Sequence, residues 1–120
     1  MERVVFNRFD KNTKLRLAKF DLASRASVNM IRFDPASGLN HKKGVIGLAQ
    51  EALQRGEHFI TRARLDPRAC GEELVADFYN IDWNTVHEVA DSENKKSIER
   101  KEKLWRSLGF HFQVVTTHVT

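Results

Sequence analysis

From residue 40 onward the spacing of apolar residues switches in a fixed order, and that order constrains the fold more than any other feature of the chain. Val45, Leu48, Ala49, Ala52 and Leu53 recur at i, i+3, i+4, i+7 and i+8, which places them on one face of a helix. Asn40 can cap this helix and Gly56 can end it. The step then shortens to alternation over His58 to Leu65, where Arg62 and Arg64 interleave with apolar residues before Asp66-Pro67 breaks the run. Leu74 to Tyr79 reads as a second strand and Thr85 to Ala90 as a third. The turn formers of Asn80-Ile81-Asp82-Trp83-Asn84 join these two into an antiparallel hairpin. Helical spacing returns from about Glu93 to Leu108, with Asp91 or Ser92 as cap and Gly109 as stop, and Phe110 to Thr117 closes as a strand. Helix, strand, strand, strand, helix, strand is an α/β order.

The first forty residues follow another pattern. Val4 to Phe9 and Leu15 to Leu22 alternate around the polar interval Asp10 to Lys14, which predicts an N-terminal β-hairpin. Asp34-Pro35 and Ser37-Gly38 mark turns in the connection that follows. With 120 residues, 41% hydrophobic and 30% charged, the chain has the composition of one folded domain. Residues 1–40 are its extension and residues 41–117 its core. A two-stranded hairpin is marginal alone and needs a surface to pack on, so a homodimer is expected. The apolar runs fall far short of the ~20 residues a bilayer needs, and the N-terminus has no secretory apolar region. No membrane partner and no export are expected. The lone Cys70 excludes an internal disulfide and a cysteine-rich metal site, consistent with a reducing, cytoplasmic setting.

The net charge of +4 is unevenly divided. Residues 1–68 carry fourteen Lys and Arg against seven Asp and Glu, whereas residues 69–120 carry six against nine. A basic surface beside a concentration of carboxylates suits a polyanion bound across an acidic centre that holds a metal ion.

Two of those carboxylates stand where acids need a reason. Asp77 lies inside the second strand, in Val75-Ala76-Asp77-Phe78-Tyr79, and Glu88 inside the third, in Val86-His87-Glu88-Val89-Ala90. Antiparallel pairing can bring the two together, and like charges so placed repel unless a cation sits between them. Hydrolysis of a phosphodiester with Mg²⁺ needs such a carboxylate pair, and usually a lysine to place the water or to stabilise charge in the transition state.

The element order, with Asp77 in the second strand and Glu88 in the third, resembles the core of the PD-(D/E)XK nuclease superfamily, which includes restriction endonucleases and archaeal Holliday junction resolvases. The resemblance covers residues 41–117. It implies a four-stranded mixed sheet flanked by helices, a metal-dependent endonuclease acting on DNA, and Mg²⁺ or Mn²⁺ held by Asp77, Glu88 and the backbone carbonyl of Val89. The family usually has Lys two positions after the Glu, where this chain has Ala90. Some members take that lysine from the following helix. Lys101 falls on the Ile98, Trp105, Leu108 stripe of the last helix and is the first choice, with Lys95 the second. Ala90 also supports the alternative, a nucleic-acid-binding module that kept the fold and lost the chemistry.

Other residues have a structural and a functional reading each. Lys42, Lys43, Arg62, Arg64 and Arg68 are phosphate-contact candidates, or a solvated basic face. Asp91 and Glu93 can extend the acidic site or cap the last helix. Glu51 stands off the core-facing stripe of the first core helix, His87 points to the strand face opposite Glu88, and Trp83 at the hairpin tip can stack on a base or pack on its own domain. Cys70 has no partner at nucleophile or zinc spacing.

Overall fold

Phe59 and Ile60 are adjacent in sequence and both fully buried, yet they pack into different layers. This is the period-two alternation of a strand covered on both faces. The computed structural model describes residues 8–90 and 94–117. Its strands are β1 (Phe59–Arg64), β2 (Val75–Asn80), β3 (Thr85–Ala90) and β4 (His111–Thr116), in spatial order β1-β2-β3-β4. The first two pairings are antiparallel and β3 with β4 is parallel, so the sheet is mixed and open. Its helices are α1 (Lys11–Leu17), α2 (Leu22–Arg25), α3 (Leu39–Gln54), α4 (Pro67–Cys70) and α5 (Lys95–Ser107). Helices flank the sheet, as the sequence predicts, and the four strands lie within one residue of their expected bounds. Among the described residues no helix is long and apolar enough to cross a membrane.

One face of the sheet belongs to α3, whose Leu48, Ala49 and Ala52 lie on Phe59 and Phe78. Those two rings stack with centroids 5.1 Å apart. The opposite face is thicker. Leu17 of α1, Phe20, Trp105 of α5 and Phe110 cover Ile60, Tyr79, Val86 and Phe112, and four of these aromatics form a cluster with centroids 4.9 to 6.4 Å apart. Each such buried side chain contributes about 2–3 kcal/mol by its removal from water. Burial pushes the Tyr79 phenol up to about 12, and its hydroxyl donates to Asn84 Oδ1 at 2.9 Å.

Gly56 (φ 70°) and Gly109 (φ 93°) follow α3 and α5 with left-handed backbone, as expected of helix stops. The starts differ from expectation. Asn94 caps α5 through its side chain to the Ser97 N–H, and the expected caps Asp91 and Ser92 lie outside the described residues. The N-cap of α3 is Gly38, with no side-chain cap bond, and Asn40 sits inside the helix.

The expected N-terminal hairpin is corrected. Its first strand falls largely outside the described residues, and Leu15, assigned to the second, lies in α1. Asp10 accepts from Thr13 N–H at 2.7 Å and Asp21 from Ser24 N–H at 2.8 Å. Two Asp N-caps therefore start two short helices where the apolar alternation alone reads as extended. The extension lies along the sheet instead. Phe20 bridges to Leu65 and Asn29 hydrogen-bonds the backbone of Phe59 in both directions, so the outer edge of β1 is covered by the chain itself.

Candidate active-site cleft where the strands part

The β2–β3 ladder pairs Asn80 with Thr85, Tyr79 with Val86 and Phe78 with His87, and then stops. The next pair in that register is Asp77 with Glu88. The strands part there, and the Asp77 carboxylate takes over from the ladder by accepting the Val89 N–H through Oδ2 at 2.8 Å. Both acids thus line one notch in the sheet, where the sequence predicts a closed ladder.

Glu88 is only 2% exposed, and a carboxylate so deeply buried needs a partner. Lys101 of α5 supplies it, with Nζ donating to Glu88 Oε1 at 2.7 Å. The lysine reaches the site because its apolar neighbours Ile98, Trp105 and Leu108 turn that face of α5 onto the sheet. From the other side α3 brings His41. Its Nδ1 lies 3.1 Å from the Val89 carbonyl oxygen and its Nε2 3.5 Å from Asp77 Oδ1. A carbonyl can only accept, so Nδ1 carries a hydrogen. Nε2 then faces the Asp77 carboxylate.

Asp77, Glu88, Lys101 and His41 line a cleft of about 320 Å³. The rest of its lining comes from the segment before α3, through Arg32, Phe33, Asp34 and Ser37, from Val45 on α3, from Arg62 on β1, and from Glu73 before β2 and Val75 at its start. The oxygens of Asp77, Glu88 and Val89 are hard donors suited to Mg²⁺, which keeps several waters and needs few protein ligands. Among the described residues, no group of three or more His, Cys, Asp or Glu side chains is gathered in ion-holding geometry.

The other sequence candidates lie elsewhere. Lys95 is exposed in the first turn of α5 and does not line the cleft. Lys42 stands over the Phe33 ring, 6.0 Å from its centroid. Arg64 reaches toward Asp21 and Glu73, and Arg68 holds the Asp66 carboxyl down to about 2 by hydrogen bonding to it. Lys43, Glu51 and His87 line a larger groove, about 770 Å³, between α3 and the β3–β4 strands. That groove is roomier but brings together no pair of carboxylates. Trp83 is exposed in the β2–β3 turn, at the far end of that ladder from Asp77, where its indole N–H donates to Glu57. Asp91 and Glu93 lie outside the described residues.

Sequence reasoning overlooked His41, Arg32, Phe33, Asp34 and Ser37. For His41 a signal was present: it stands four residues before Val45 and extends the Val45, Leu48, Ala49, Ala52 stripe by one turn. No comparable local signal marks Arg32, which is thirty residues from Arg62 and joins it only in the fold. No protein-family model matches the chain, and no curated protein and no solved structure matches it significantly.

Proposed function

We propose that this chain is a metal-dependent endonuclease-like protein that hydrolyses phosphodiester bonds in DNA, on a core resembling the PD-(D/E)XK superfamily. The observation that carries this reading is the convergence of Asp77, Glu88 and Lys101, from two strands and a helix, on one cleft with His41. Mg²⁺ or Mn²⁺ bound there would polarise the phosphate and make a bound water more acidic. Asp77, Glu88 and the Val89 carbonyl are the residues to hold it. Lys101, already oriented by Glu88, stands ready to stabilise negative charge at the reacting phosphorus or to orient a water. His41 fixes the Val89 carbonyl and can carry a proton beside Asp77.

A second reading has its own support. Ala90 stands where the family usually has lysine, and Asp77, Glu88 and the Val89 carbonyl each have a protein partner already. Those features suit a nucleic-acid-binding module without chemistry. The test is conversion of supercoiled plasmid, and of branched and single-stranded DNA, with Mg²⁺ or Mn²⁺ against EDTA, for wild type, Asp77→Asn and Lys101→Met. Metal-dependent cleavage lost in both variants is the expected result. Binding without cleavage under either metal establishes the module, and absence of both binding and cleavage overturns the nucleic-acid reading.

A further inference from the structure

Arg62 stands opposite Asp77 in β1, and its backbone is inverted. The register is the same on either side of it, Thr61 with Phe78 and Ala63 with Ala76, so no residue is inserted, yet Arg62 and Asp77 do not pair. Arg62 has φ 49°; the other two non-glycine residues with positive φ among the described residues, Asn29 and Asn84, are of the type that tolerates it. An arginine in left-handed backbone inside a strand is strained, and such strain persists where the surroundings impose it, often at sites of function. Its consequence is that Arg62 is the one exposed member of β1 and lines the cleft beside the carboxylates.

A second guanidinium backs the first. Arg32 donates through Nη2 to the Thr61 and Arg62 carbonyls at 2.9 and 3.3 Å, the carbonyls on either side of the inverted residue's N–H and Cα. Its buried Nε has no hydrogen-bond partner among the described residues. Burial, and then the charge of Arg62, hold the Arg32 guanidinium below its ordinary value. Two cations this close repel unless an anion joins them. The Asp34 carboxylate is 3.9 Å from Arg62 and half-exposed, a loose contact that a ligand can replace. The cleft therefore has the carboxylates with Lys101 and two arginines among its lining residues.

We propose that Arg62, with Arg32 behind it, is the phosphate-binding residue of this cleft, taking the non-bridging oxygens of a DNA backbone phosphate so that the diester lies over Asp77 and Glu88. The proposal rests on the nuclease-like reading for the identity of the polyanion, but it concerns binding and is read without cleavage. It distinguishes Arg62 from Arg64 and Arg68, neither of which lines the cleft. It also explains why the strain is retained: extended backbone would return Arg62 to the ladder.

The test is binding of a short fluorescent DNA oligonucleotide in EDTA over a salt series, with the thermal midpoint of each variant measured alongside. Arg62→Gln keeps a polar, unbranched side chain and the strain and removes the charge. It should weaken binding about tenfold and lower the slope of log affinity against log salt by about one. Arg62→Lys should restore the slope and part of the affinity, and Arg64→Gln and Arg68→Gln should change binding less than twofold. Arg62→Gly is the decisive variant, because glycine adopts this backbone freely. It should raise the thermal midpoint while losing affinity, whereas a merely structural arginine would lower the midpoint when removed. Affinity and slope unchanged in Arg62→Gln overturn the proposal even if wild type cleaves DNA. Binding that depends on Arg62 without any cleavage upholds it and overturns the nuclease reading alone. Displacement of the oligonucleotide by inorganic phosphate at equal phosphate concentration assigns the site to a free anion and overturns the polymer substrate. Wild type without affinity for DNA overturns both.

Discussion

Asp77 and Glu88 stand in register across β2 and β3, and the ladder ends one pair before them, leaving the Asp77 carboxylate to accept the Val89 N–H in place of a backbone carbonyl. This carboxylate is therefore structural as well as chemical. Asp77→Ala leaves that N–H without its acceptor at a partly buried position, at a cost of about 1–3 kcal/mol. Asp77→Asn retains an acceptor oxygen and should cost less than half as much. Urea denaturation separates them, and equal stability of the two variants would show that the Val89 bond contributes nothing.

The Glu88–Lys101 pair makes a prediction of opposite form. Glu88 is 3% exposed at its side chain and Lys101 32%. Breaking a fully buried pair from one side costs about 3–5 kcal/mol, and the partial exposure of the lysine lowers the expectation for Lys101→Met to about 2 kcal/mol. Glu88→Gln combined with Lys101→Met removes the stranded charge and should recover more than half of that loss. Additive losses in this double-mutant cycle would mean that the two groups are not coupled.

Lys101 and His41 show which parts of the site local sequence can reveal. Both are polar residues on the apolar stripe of a helix, and such a residue points to a buried partner whatever the partner is. Lys101 was legible for that reason. His41 carried the same mark, but reading Asn40 as the cap placed the histidine in a first turn, where it attracts no notice. The core strands were legible because each is short, alternating and bounded by turn residues or by a glycine stop. The N-terminal segment was not, since Leu15 to Leu22 fits both a strand and a pair of short helices, and the choice is made by Asp10 and Asp21 as caps. The Arg32–Arg62 pair lies beyond any local pattern, because it depends on one inverted residue and on contacts thirty positions apart.

His87 gives the fold a pH dependence with a definite sign. Its ring meets Phe78 edge-on, with centroids 5.5 Å apart. Burial pushes the imidazole below its ordinary value, and Glu51 opposes this only in part. A base depressed in the folded state stays neutral there, so the unfolded chain holds the extra proton between the depressed value and the ordinary one near 6.5. Stability is thus full above the ordinary value and is lost as pH falls toward the folded one. The difference in urea midpoint between wild type and His87→Gln should change over that window and be flat above it. A difference that stays constant across the window would remove His87 as the source.

Gly44 sets how closely α3 approaches the sheet, and through it the position of His41 one turn earlier. A Cβ at Gly44 would lie 2.6 Å from Val89 Cγ1 and 2.7 Å from Thr117 Cγ2. Val89 is 1% exposed and β-branched, so its side chain has little freedom to move aside. Gly44→Ala must therefore lift the start of the helix, at a cost of about 1–3 kcal/mol for overpacking, despite the better helix propensity of alanine. Gly47, one turn later, has open space at its Cβ position. Gly47→Ala should therefore stabilise by about 0.5–1 kcal/mol. Thermal denaturation of the two variants should give shifts of opposite sign. Because lifting α3 also withdraws His41 from Asp77 and the Val89 carbonyl, Gly44→Ala should impair any activity of the cleft, whereas Gly47→Ala should leave it unchanged. Two shifts of the same sign would show that the approach of α3 is not limited by Gly44.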